Sequence, residues 1–277
     1  MARMTRVLVT GATGMLGREL VRVLDDGFDV VAPGFDITDR DATVGALTSL
    51  APDVVIHAAA WTDVDGCELD PDRALQVNAL GTRNVADGAR RVGAHVVAIS
   101  TDYVFDGTLD RPYVEWDATN PRSAYGRSKL GGEQELDPGW ACVRTSWLFA
   151  AHGRSFVRTI LEREGELRVV DDQHGCPTAA PDLARIVRFL ASNRLPGTFH
   201  VTNQGATTWC RLAQDVLALA GQDPARVIPI SSAELDRPAP RPTNSVLDNA
   251  ALRLSGIALL PDHHEPLEQA VKELTAE

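Results

Sequence analysis

Tyr125 and Lys129 stand four residues apart in Tyr125-Gly126-Arg127-Ser128-Lys129. On a helix that spacing puts a phenol and an ammonium on one face, one turn apart. A free phenol titrates at about 10 and relays protons poorly at neutral pH, but a neighbouring ammonium favours the phenolate. The pair is therefore suited to acid–base work. Such spacing also arises on any amphipathic helix, so it needs companions. Ser100-Thr101-Asp102-Tyr103-Val104-Phe105 supplies one, because it follows an apolar run at its carboxyl end. Open α/β sheets place their ligands there, and a hydroxyl at Thr101 can hydrogen-bond a substrate carbonyl beside the tyrosine.

A second constellation lies at the start of the chain. Thr10-Gly11-Ala12-Thr13-Gly14-Met15-Leu16-Gly17 follows the first apolar run and opens a helical pattern. Its glycines suit a dinucleotide site: one for the tight turn, one for approach of a pyrophosphate, one for close helix–strand packing. The spacing has one residue more between the first two glycines than the common GxGxxG. The helix start adds free N–H groups and partial positive charge, so Gly11, Thr13, Gly14, Met15 and Leu16 are the expected diphosphate contacts. Asp36 lies near the distance at which an acid holds the adenosine ribose, yet several residues past the second strand. A ribose bond, an adenine contact and a cap on the next helix all remain open. Arg18 and Arg40 are the nearest cations for a 2′-phosphate, which leaves NADH and NADPH undecided.

The elements that must position these groups alternate. Strand-like runs at Arg6–Thr10, Asp29–Ala32, Val54–Ala58, Ala94–Ser100 and Trp140–Thr145 are apolar throughout, as a sheet covered on both faces requires. Helical patterns at Gly14–Asp25, Arg40–Leu50, Pro71–Val92 and Ser123–Leu136 lie between them. The alternation predicts an α/β fold, a doubly wound parallel (Rossmann) sheet, with a smaller substrate-binding α/β domain. Residues 1–149 form the expected dinucleotide-binding domain and 150–277 mainly the substrate domain, with segments free to return to the first. The second half is less regular, with helices at Pro181–Ala191 and Thr208–Ala220 and a short strand at Gly197–Val201. Asp236–Thr243 carries three prolines and reads as an ordered extended loop or a mobile lid.

Composition narrows the function classes. With 277 residues, 44% of them hydrophobic, the chain can bury a sizeable core, and its net charge is −11. That field repels polyanions, so neither nucleic acid nor a membrane surface is an expected partner. The first residues run into a strand with no signal-peptide core, and the expected location is the cytoplasm. The cysteines, Cys67, Cys142, Cys176 and Cys210, form no CxxC pair and read as buried reduced thiols.

Taken in order, TGATGMLG, PDVVIHAAAWTDVD, NALGT and YGRSK resemble the extended short-chain dehydrogenase/reductase family. The resemblance implies a catalytic set of Thr101, Tyr125 and Lys129. It also implies cofactor contacts at Asp36–Ile37, Ala58, Ala59, Ala60 and Thr62, with Asn78 supporting the site. Narrower segments, STDYVFDG, RTSWLFA, Asp172–Thr178 and RPTNSVLDN, are similar to the dTDP-4-dehydrorhamnose reductases within that family. This similarity reaches from residue 6 to about residue 274. It implies NADPH or NADH as cofactor and a dTDP-sugar substrate touched by Thr101, Asp102, Tyr125 and Trp147. Trp147 as a core aromatic is the plainer alternative. Arg241 and Asn244 could grip the diphosphate or nucleotide, since an Arg fork matches phosphate oxygens.

Three further expectations follow. Metal-linked dimers in this family use three glutamates per subunit; Glu19 and Glu268 fill two of those places, but Pro181 stands at the third. An obligate Mg²⁺ site is therefore not expected, Glu19 and Glu268 read as exposed helix residues, and a monomer or weak homodimer is. His263-His264 lacks a partner at metal-ligand spacing and reads as surface. The competing functions are a reductase of a related dTDP-4-keto sugar, of the dihydrostreptose synthase type, and a non-catalytic NADP-binding subunit resembling the methionine adenosyltransferase beta subunit. The complete Thr101/Tyr125/Lys129 set favours an enzyme.

Overall fold

The apolar runs of the first half become neighbouring strands of one parallel sheet. The computed structural model describes residues 3–276; positions 1, 2 and 277, the outermost of the expected domain division, lie outside the described residues. The chain begins β1 (Arg6–Thr10), α1 (Met15–Leu24), β2 (Asp29–Val31), α2 (Arg40–Leu50) and β3 (Val54–His57). Short helices α3 (Val64–Leu69) and α4 (Pro71–Leu75) lead through a π-helical turn at Gln76–Leu80 into α5 (Gly81–Val92) and β4 (His95–Thr101). After α6 (Ala124–Glu133) come β5 (Ala141–Thr145), β6 (Leu148–Phe149), α7 (Phe156–Glu162) and β7 (Leu167–Val170). Next are β8 (His174–Gly175), β9 (Thr178–Ala179), α8 (Ala180–Asn193), β10 (Gly197–His200) and β11 (Thr207–Thr208). The chain ends with α9 (Trp209–Leu219), β12 (Val227–Ile230), α10 (Ala250–Leu254) and α11 (His264–Thr275).

The main sheet has six strands in the order β10-β5-β4-β3-β1-β2, and every pairing is parallel. Alternation along β1 sends Val7 and Val9 to one face and Leu8 to the other. The first face packs Val7, Val9 and Ile56 against Leu20 and Leu24 of α1 and Leu183, Val187 and Leu190 of α8. The second packs Leu8, Val55 and Val96 against Leu47 of α2 and Val85 and Ala89 of α5. Burial on both faces explains why these strands lack polar alternation. The second half thus contributes β10 to the sheet edge and α8 to its cover. The rest builds a smaller α/β layer, in which the parallel pair β7–β12 shares a core with α7, α9 and α11 through Ile160, Val216 and Leu267.

Some expected elements change form. The long helix at 71–92 is interrupted by the π-helical turn, an inserted residue of the kind that recurs at functional sites. Asp39, not Asp36, caps α2 by accepting from the Ala42 amide at 3.0 Å. All four cysteines are buried and unpaired. No helix among the described residues is long and apolar enough to cross a membrane.

Candidate active site

Gly11 adopts φ +69°, and a Cβ there would meet the Ala59 nitrogen at 2.7 Å, while one on Gly17 would strike the Gly11 oxygen. The turn therefore presses against the segment after β3, with Ala58, Ala59 and Ala60 half-buried beneath it. Gly14 is the N-cap of α1 and no side chain caps that helix, so its first amides are left for an anion. Thr13 and Gly14 are exposed and Met15 half-buried, whereas Leu16 is in the core, leaving only its backbone for a ligand. This cradle fits the diphosphate of a dinucleotide.

Asp36 is exposed; its Oδ1 accepts from the Thr38 amide at 2.9 Å and hydroxyl at 2.8 Å, and these bonds hold its carboxyl below the usual range. Ile37 is buried, with its carbonyl taken by Asn84 at 2.9 Å, and Thr62 is exposed. Arg18 Nε donates to the Thr13 carbonyl at 3.1 Å, and Arg40 pairs with Asp87 at 3.1 Å.

Thr101 is the last residue of β4, and Ser123 caps α6 by accepting from the Gly126 amide at 3.1 Å. These two ends bring Thr101, Tyr125 and Lys129 together. The Thr101 hydroxyl donates to Asp102 Oδ1 at 3.0 Å and accepts from the Tyr103 amide at 3.2 Å. Burial raises the Tyr125 pKa, and the nearby Thr101 hydroxyl offsets part of the rise. The expected lowering by Lys129 is corrected here: Lys129 Nζ donates instead to the Ile99 carbonyl at 2.7 Å, and burial lowers its own pKa. Asp102 is 2% exposed. Its Oδ2 has no hydrogen-bond partner among the described residues, and burial lifts its pKa to about 7.

A buried network, which pattern reading did not single out, joins the cofactor cradle to this centre. Thr82 Oγ1 donates to the Asn78 carbonyl at 2.7 Å, so it accepts from His57 Nε2 at 3.0 Å. His57 Nδ1 then accepts from Thr10 Oγ1 at 2.8 Å, and Thr10 Oγ1 accepts from the Ala59 amide at 3.2 Å. Hydrogen-bond bookkeeping thus fixes one neutral tautomer. Burial, helped by the Lys129 charge, lowers the His57 pKa to about 3. Asn78, set inward by the π-helical turn, accepts from the Trp61 amide at 2.8 Å and donates to Ser128 Oγ at 2.9 Å. Ser128 in turn donates to the Tyr125 carbonyl at 2.8 Å.

Next to the centre opens a cleft of about 600 Å³ lined by Tyr103, Phe156, Gln173, Trp209 and five arginines: Arg122, Arg163, Arg168, Arg237 and Arg241. Tyr103 meets Tyr125 edge-on, with centroids 5.9 Å apart, linking cleft and reaction centre. In an acidic chain this is a concentrated cationic wall, suited to a compact anion such as a diphosphate. Only Arg241 among the five stands out in the sequence; Arg237 shares its proline-rich segment, and Arg122, Arg163 and Arg168 come from other elements with no spacing to betray them.

Several expected residues sit differently. Trp147, at φ 47°, stacks on Trp209 with centroids 3.6 Å apart and planes at 10°, and it is Trp209 that lines the cleft. Asn244 does not offer a free amide to a nucleotide: Nδ2 donates to the Leu109 and Arg111 carbonyls at 2.8 and 3.0 Å, pinning that turn. Glu19 is buried rather than exposed, bound by His152 at 2.8 Å and Arg22 at 2.7 Å, while Glu268 is exposed and pairs with Lys272 at 2.6 Å. His263 is buried, not on the surface, because its Nδ1 donates to the Gln204 carbonyl at 3.1 Å. Asp262, His263 and His264 do bring ligand atoms within 4.8 Å of one another; the His263 Nδ1 is committed as a donor, while its buried Nε2 has no hydrogen-bond partner among the described residues.

Comparison with known proteins agrees with this geometry. The family model for the RmlD substrate binding domain matches residues 4–276. The chain is 45% identical to a probable dTDP-4,6-dihydroxy-2-methyloxan-3-one 4-ketoreductase of Streptomyces antibioticus, over 98% of this chain and 96% of that one. It is also 45% identical to a dTDP-4-dehydrorhamnose reductase of Streptomyces griseus, over 91% of this chain and 88% of that one. Among solved structures, a dTDP-4-dehydrorhamnose reductase of Bacillus anthracis in complex with NADP superposes with a TM-score of 0.94 at 37% identity, covering 98% of this chain and all of that one (100%).

Proposed function

Because the chain belongs to the family of the dTDP-4-dehydrorhamnose reductases, we propose that it reduces the 4-keto group of a dTDP-4-keto-6-deoxy-L-hexose with NAD(P)H. The observation that carries this reading is the placement of Thr101, Tyr125 and Lys129 beside an arginine-lined cleft. The uncapped start of α1 would hold the cofactor diphosphate, and Lys129 its nicotinamide ribose. When bound, the nicotinamide supplies the hydride.

The chain's own residues supply orientation and the proton. Tyr125, with its pKa raised by burial, stays protonated through neutral pH, as the donor to a forming alkoxide must be. Thr101 orients the carbonyl once its one hydroxyl hydrogen turns from Asp102 to the substrate. Asp102, buried next to Thr101 with one oxygen unpartnered, would receive a sugar hydroxyl. The arginine wall takes the diphosphate, and Trp209, backed by Trp147, offers an apolar face to the sugar nucleotide. Binding energy from the dTDP group thereby holds the ketone in place for reduction.

The two Streptomyces relatives are equally similar in identity, so the test compares sugars as well as cofactors. Nicotinamide oxidation is followed with dTDP-4-dehydrorhamnose and with a second dTDP-4-keto-6-deoxyhexose, using NADH and NADPH, and the product is identified by NMR. Turnover of a dTDP-4-keto sugar is expected. Tight NADP binding without turnover of either sugar would make this a non-catalytic binding subunit instead.

A further inference from the structure

Asp65, in α3, reaches across the fold to the proline-rich segment 236–243. Its Oδ1 accepts from Arg241 Nη1 at 3.0 Å and from the Ala239 amide at 3.2 Å. Its Oδ2 accepts from Arg241 Nη2 at 3.0 Å and from Arg237 Nη1 at 3.2 Å. Pro238, Pro240 and Pro242 lack N–H groups, so the segment has little backbone hydrogen bonding of its own to fix it. Among the described residues, Asp65 is the acid that pairs with either arginine.

A guanidinium carries five N–H groups. For Arg241, Nη1 is spent on Asp65 and on the Ala239 carbonyl at 2.9 Å, and one Nη2 hydrogen on Asp65. The Nε–H and the second Nη2–H make no hydrogen bond among the described residues, and together they form the side edge of the fork. Arg241 lines the cleft with this edge unspent.

We propose that Asp65 is a positioning residue for nucleoside-diphosphate binding. It takes the end of the Arg241 fork and holds the strap in place, so that the side edge remains for a phosphate, with Arg237 kept on the same wall. This proposal rests on the reading of the cleft as a dTDP-sugar site, and the experiment keeps the two apart.

dTDP is titrated calorimetrically into the wild type, Asp65→Asn, Asp65→Glu, Arg241→Ala and the double variant Asp65→Asn/Arg241→Ala, with melting temperatures and NADPH affinity measured alongside. Asp65→Asn should weaken dTDP binding about tenfold, the scale of one oriented charge-assisted bond, while NADPH affinity is unchanged. The double variant should lose clearly less than the sum of the two single losses, because Asp65 acts chiefly through that side chain. Asp65→Glu, which keeps the charge, should recover most of the loss and serves as the test should the Asn variant not fold. A wild type that does not bind dTDP would overturn the reading of the cleft itself. Wild-type binding with unchanged or tighter binding by Asp65→Asn, or additive losses in the double variant, would overturn the role of Asp65.

Discussion

The Lys129 ammonium donates to the Ile99 carbonyl at 2.7 Å, two residues ahead of Thr101 on the same strand. The helix that carries Tyr125 is thus fastened, by a member of the proposed catalytic set, to the strand that carries the hydroxyl. One of the three ammonium hydrogens is spent in this way, and the others remain for a ribose.

Lys129→Ala should accordingly lose cofactor affinity and turnover together, each by roughly 10–100-fold, the range for hydrogen bonds to a charged group. Fluorescence titration with NADPH and steady-state kinetics measure the two. A slower enzyme with unweakened cofactor binding would contradict the double role.

His57 joins two ends of the site, and two variants separate them. Asn at this position can keep an acceptor near the Nδ1 place for Thr10 but not the donor to Thr82; Gln can keep the donor but not the acceptor. His57→Gln should weaken NADPH binding, because Thr10 carries the Ala59 amide under the cofactor. His57→Asn should instead lower kcat by about tenfold, because Thr82 and Asn78 steady the Tyr125 helix. Equal losses of both quantities in both variants would mark His57 as a general support of the sheet.

Asp102 fixes a pH dependence of stability. Burial raises its pKa from 3.8 to about 7, so the folded state holds a proton that the unfolded chain has released. Its contribution is fully present below about pH 4 and is lost as the pH rises through about 7. Asp102→Asn should therefore be more stable than the wild type at about pH 8, by ~2–4 kcal/mol, and the difference should vanish towards about pH 4. Melting curves across that range decide it; a difference that grows at acid pH would contradict the buried, proton-holding carboxyl.

Trp147→Ala should raise the KM for the dTDP sugar while leaving NADPH affinity alone, because Trp209 loses the ring stacked behind it. The same change should cost about 3 kcal/mol of stability, as for other large aromatic truncations. A large fall in melting temperature with unchanged kinetics at low temperature would leave Trp147 as packing only.

Much of this arrangement is legible in the residues, and the exceptions have physical causes. The glycine turn and the YGRSK helix are local, set by backbone conformation and by one helical turn, so their spacing survives in the sequence. The parallel strands show because both faces are buried and the apolar runs are unbroken. The π-helical turn at 76–80 does not interrupt the apolar pattern, so it is invisible beside a continuous helix. β10 joins the first sheet from the second half through pairing with β5, a contact that no local pattern encodes. The same holds for Asp65 and Arg241, whose partnership spans 176 residues. In the sequence His57 is one more strand residue, because its hydrogen-bond partners, Thr10 and Thr82, lie on other elements.

The central claim is that Tyr125 gives the proton to the reduced ketone, and Tyr125→Phe tests it with the ring retained. The single-turnover rate of the wild type and the variant is measured with NADPH and the dTDP-4-keto sugar, beside the NADPH dissociation constant of each. A rate loss of roughly 10²–10⁴-fold, the usual range for general acid catalysis, with NADPH affinity unchanged is the expected result. Near-normal reduction by Tyr125→Phe would contradict the assignment of the proton donor and the account built on it.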